Sequence, residues 1–133
     1  MARGTCAINA TAGGAVAAPD GKNIHDLVLD LTADSAGVVD QVFPWPGGVQ
    51  QNVTIIPDAT DAPTALYDLT FEADGLDKWG GLGGNLSATA AAAFIPTDST
   101  TGLPWAIATG KSVNIKAANM GAGKKTKVKI AYR

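Results

Sequence analysis

The sequence predicts an all-β protein, an antiparallel β-sandwich of jelly-roll type with about seven or eight strands. Three observations carry that expectation. Apolar residues recur at every second position through most of the chain, the spacing of strands with one buried face. Turn residues (Gly, Pro, Asn, Asp) separate these segments at short intervals. Helical periodicity is nearly absent, so packed sheets are the architecture that can bury the alternating faces.

The 133 residues fit one domain. Residues 1–20 read as an N-terminal arm or edge strand, with a short strand over 5–10 and a break at Pro19-Asp20-Gly21. Residues 21–133 read as the sandwich. In 25–34, Leu27, Leu29, Leu31 and Ala33 face one way while Asp26, Asp30, Thr32 and Asp34 face the other. A shorter strand is expected over 37–43, and another over 49–56, stopped by Pro57. In 65–73 the apolar set is Ala65, Tyr67, Leu69, Phe71 and Ala73. Residues 86–96 carry an alanine run of good helix propensity. Thr89, Phe94 and Ile95, the glycines upstream and Pro96 favour a strand there instead. The last two strands alternate Val113, Ile115 and Ala117, then Val128, Ile130 and Tyr132. The glycine turn at 119–123 between them reads as the bend of a closing hairpin.

Composition narrows the function. Hydrophobic residues make up 46% of the chain but aromatics only 6%. Small side chains bury little area each, so burial against a partner is expected to supplement the core. The acidic residues all lie between Asp20 and Asp98. Seven of the ten basic residues follow, at Lys111, Lys116, Lys124, Lys125, Lys127, Lys129 and Arg133. That asymmetry suits docking against charged surfaces. Nucleic acid is disfavoured, because the net charge is −2 and only Tyr132 is interleaved with the lysines. No apolar run reaches the roughly 20 residues of a membrane span, and no leader is evident, so a soluble protein made in a reducing cytoplasm is expected.

Few residues offer chemistry. His25 and Asp26 are neighbours on a strand and point to opposite faces, so they do not form a proton-transfer pair. Cys6 has no basic neighbour to activate it and reads as an inert thiol. One Cys and one His cannot make a zinc site. Asp74-Gly75-Leu76-Asp77 lacks the alternating oxygens of a calcium loop and reads as a hairpin bend. The glycines at 80–84 lack the Lys-Ser/Thr of a phosphate loop. The expectation is a protein with no enzyme activity, no cofactor and no metal.

The candidate protein-binding residues are Trp45, Trp105, Lys125, Lys127 and Lys129. Each of the two tryptophans follows a proline in a loop, and each reads equally well as a core anchor or as an exposed interface anchor. The three lysines alternate along one strand face and form a basic C-terminal edge, with no acid nearby in sequence. Lysines on an edge also discourage stray strand pairing.

The block from Leu66 to Asp77, the Gly80-Gly81-Leu82-Gly83-Gly84-Asn85-Leu86-Ser87-Ala88-Thr89-Ala90 segment and the two closing strands resemble small β-sandwich virion proteins of tailed bacteriophages. Size and charge layout are most similar to capsid cement, or decoration, proteins. The resemblance covers roughly residues 49–133 and marks a scaffold rather than an active site. It implies a virion protein on the capsid exterior, assembled in the host cytoplasm. Its partners would be the major capsid protein and itself, as a homodimer or alternatively a trimer. A head-to-tail or tail component, or a carbohydrate-binding sandwich, is the alternative.

Overall fold

The computed structural model describes residues 4–9, 24–98 and 100–133. Among these there is no helix. Nine strands form: β1 (Thr5–Asn9), β2 (His25–Thr32), β3 (Val39–Pro44), β4 (Gln50–Pro57), β5 (Asp68–Ala73), β6 (Leu76–Asp77), β7 (Ala92–Phe94), β8 (Ser112–Ala118) and β9 (Lys125–Tyr132). They build two antiparallel sheets, ordered β1-β2-β9-β4-β7 and β3-β8-β5-β6. From β2 to β9 each connection crosses between the sheets, except the tight turn joining β5 to β6. That is jelly-roll order, two four-stranded sheets wound as two Greek keys, with β1 added to the edge of the first.

The alternation read in the sequence becomes the two inner faces. Leu27, Leu29 and Leu31 of β2, Val53 and Ile55 of β4, and Val128, Ile130 and Tyr132 of β9 line one. Val39 and Phe43 of β3, Leu69, Phe71 and Ala73 of β5, and Val113, Ile115 and Ala117 of β8 line the other. All are at most 5% exposed, so a one-residue slip in any of these strands would put its whole set in water. The few aromatic residues are concentrated between the sheets. Trp79 stacks on Phe71 with centroids 5.2 Å apart and planes 8° from parallel. Phe71 meets the edge of Trp45 at 5.7 Å, and Trp45 reaches Tyr132 at 5.5 Å. This row of rings supplies the volume that the many alanines and glycines do not.

Three expectations are corrected here. First, β8 and β9 are not a hairpin, because β8 pairs with β3 and β5 while β9 pairs with β2 and β4. The 119–124 turn crosses from one sheet to the other, with Gly37 packed so closely on Gly121 that a Cβ on Gly37 would lie 2.7 Å from the Gly121 nitrogen. Second, β9 is interior, so its lysines project from a sheet face and not from an edge. Third, only Ala92–Phe94 of the 86–96 segment is strand. The short strand expected over 5–10 forms at Thr5–Asn9 as an edge strand paired with β2 from Thr5↔Thr32 to Asn9↔Val28, while residues 1–3 and 10–20 of the N-terminal segment lie outside the described residues. The Asp74-Gly75 bend does close the β5–β6 hairpin. Its φ angles of 55° and 76° are the positive pair a two-residue primed turn requires.

The connections gather at two ends. At one end Met120 N–H donates to the Gly37 carbonyl at 3.1 Å, and Thr64 N–H to that of Met120 at 2.8 Å. At the other end Trp45 N–H donates to the Lys111 carbonyl at 2.9 Å, and the Lys111 ammonium pairs with Asp74. This second end holds both tryptophans named above.

Candidate functional site

Strand β9 runs through the middle of the five-stranded sheet and turns Lys125, Lys127 and Lys129 to the outer face, while Thr126, Val128 and Ile130 point inward. The register places Asp30 and Ile56 beside Lys127, and Val28 and Thr54 beside Lys129. Two of the three lysines have acid neighbours that sequence distance concealed. Lys127 lies 3.9 Å from Asp30 and Lys125 lies 3.6 Å from Asp61. Lys129 has no ion pair among the described residues and is flanked on the neighbouring strands by Val28 and Thr54. An open groove of about 570 Å³ runs beside the lysines, bounded by Thr32, Ile56 and Pro57. The opposite outer face carries Asp40, Asp68 and Glu72 around Lys116, which bonds Glu72 at 2.9 Å.

The two candidate tryptophans part company. Trp45 is 1% exposed and belongs to the inter-sheet ring stack, so the core reading holds for it and the exposed-anchor reading does not. Trp105 takes no part in that stack. It lies in the long crossover between β7 and β8 and lines a groove of about 580 Å³ at the end of the sandwich. The Lys78 ammonium lies 4.1 Å from its ring centroid, a cation over an aromatic face. Leu76 and Leu103, 55% and 64% exposed, flank the groove.

Trp79 drew no attention in the sequence, because it sits beside a glycine-rich loop and outside any alternating run. It is fully buried, and its indole N–H donates to Gln50 Oε1 at 2.9 Å. The Asp77 carboxylate fixes its position. Oδ1 accepts from Phe71 N–H at 3.0 Å and Trp79 N–H at 3.1 Å, and Oδ2 accepts from Gly81 N–H at 2.9 Å. Asp77 therefore orders a turn, and its oxygens are engaged by the backbone.

Other titratable groups are structural in character. Burial and then the nearby Asp30 charge push the Cys6 thiol up to about 12. Burial also raises Tyr67, against the opposing effect of its 3.0 Å hydrogen bond to the Thr126 hydroxyl. The amide of Asp61, at 2.7 Å, holds Asp58 below the usual carboxylate range. Among the described residues, no three of His, Cys, Asp and Glu gather as metal ligands, and no helix is long and apolar enough to cross a membrane. Comparison with protein-family models, curated proteins and solved structures finds no match.

Proposed function

We propose that this chain is a structural virion protein of the cement or decoration kind, binding the outside of the major capsid protein shell of a tailed bacteriophage. The observation that supports this reading is the outer face of the five-stranded sheet. Three lysines at alternate positions of β9 stand on a broad, paired sheet, beside Val28 and Asp30 of β2 and Thr54 and Ile56 of β4. A face of this kind suits wide contact with another protein surface, and charge placed on it steers encounter. Fold alone would not argue for this, since jelly rolls serve capsids and lectins alike.

On this reading each copy bridges neighbouring shell subunits, and self-association as a dimer, or alternatively a trimer, extends the bridge. Binding the assembled shell and not its free subunits stabilises the shell by mass action. Assembly takes place in the host cytoplasm, and the finished protein lies on the capsid exterior. The test is quantitative mass spectrometry of purified particles, with the shell subunit as internal standard. Hundreds of copies per particle are expected. About a dozen would instead mark a ring at a head or tail junction, and absence from particles would overturn the proposal.

A further inference from the structure

We propose that the groove between the β5–β6 turn and the 95–111 crossover binds a saccharide. This site is separate from the β9 lysines and does not rest on the capsid reading. A sugar presents two chemistries together, a patch of C–H bonds and a set of hydroxyls that both donate and accept. The groove offers a partner for each. Trp105 and Leu103 supply apolar surface, while Lys78, Asp98, Thr100 and Thr101 supply donors and acceptors of both signs.

Two details, at Asp98 and Lys78, favour an occupant with hydroxyl oxygens over a purely apolar one. The Trp105 indole N–H is buried and has no acceptor among the described residues, so it is the ring face and not this donor that a ligand in the groove would meet. The Asp98 carboxylate spends Oδ1 on Thr100 N–H at 2.7 Å, which leaves Oδ2 for a ligand hydroxyl. The Lys78 ammonium rests on the indole face with no acid partner among the described residues. Its position shows that the ring face is reachable by a polar group. A flexible stem lets it slide aside and donate to a sugar oxygen.

The test is a titration of the isotope-labelled full chain, followed by NMR at the three indole N–H signals in the native sequence and at the backbone amides of Thr100, Thr101 and Leu103 in the variants. Trp45 and Trp79, both buried, serve as internal references. Cellohexaose is the neutral probe and an oligogalacturonate the acidic one. Saturable shifts confined to Trp105 are expected, and Trp105→Ala should weaken binding about tenfold, the factor lost with a good aromatic contact. Shifts with both probes would mean that hydroxyls and ring contact suffice. Shifts with the acidic probe alone would mean that Lys78 pairs with a carboxylate. If Trp105→Ala does not fold, the Lys78→Ala and Asp98→Asn variants carry the same test. No saturable shift with either probe, or unchanged affinity in these variants, would overturn the site. Shell attachment through β9 should survive Asp98→Asn, which separates failure here from failure of the capsid reading.

Discussion

Trp79 and Gln50 show how a single buried hydrogen bond ties the core together. Gln50 is fully buried, and its Oε1 is satisfied by the Trp79 indole at 2.9 Å. Trp79→Phe leaves that oxygen without a donor and removes ring volume, so chemical denaturation should show a loss of about 2–4 kcal/mol. Adding Gln50→Leu should recover part of the loss, because the orphaned oxygen goes with it, and strictly additive effects would argue against the bond. Cys6 provides a second check. Its pKa stands at about 12 against an ordinary 9.0, so the thiolate fraction near neutral pH is roughly a thousandfold below that of a free thiol. Iodoacetamide should label the folded chain far more slowly than the chain in denaturant.

The strands were largely legible and their partners were not. Period-2 spacing identifies Leu27, Leu29, Leu31, Tyr67, Leu69, Phe71, Val113, Ile115, Val128 and Ile130 as core, and every one is buried. That spacing records which face of a strand is dry, not which strand lies beside it, so the 119–123 turn passed for a hairpin. The ion pairs of Lys125 and Lys127 were hidden for the same reason, since Asp61 and Asp30 are distant in sequence. Only the fold shows that the Trp45 ring faces inward while Trp105 meets Lys78. Close approach also makes particular glycines necessary. A Cβ on Gly83 would lie 2.5 Å from the Leu69 carbonyl oxygen and 3.1 Å from the Trp79 ring. Gly83→Ala should therefore cost more than about 2 kcal/mol in thermal or chemical melts. Gly75→Ala meets nothing within 4 Å and strains only its φ, at about 1 kcal/mol. Equal losses at the two positions would show that the crowding is relieved elsewhere.

Across the whole molecule, the proposed function makes charge matter more to docking than to folding. Serine at positions 125, 127 and 129 removes two exposed ion pairs worth about 0–1 kcal/mol each, so the melting temperature should barely move. On the proposed capsid reading, attachment to shells should weaken, with the difference from wild type shrinking as salt rises. Unaltered occupancy at both low and high salt would reduce these lysines to a solvated face. Alkali acts differently. Cys6, Tyr67 and Tyr132 all have pKa values raised by burial, from ordinary values of 9.0, 10.0 and 10.0. The folded chain therefore holds these protons more tightly than the unfolded one. Their contribution is fully present below about pH 9 and is lost as pH rises through the raised values. Thermal melts at roughly pH 7 and pH 11 should show the decline, and a flat profile would contradict the burial of these groups. The central place of β9 bears on synthesis as well. In the β2-β9-β4 part of the first sheet, the middle strand is the last of the three to leave the ribosome. Until residues 125–132 emerge, β2 and β4 have no common partner, and each offers an open edge to neighbouring chains. Closure is therefore a late, non-local event, and until residues 125–132 pair, the facing edges of β2 and β4 are open to mispairing with other chains.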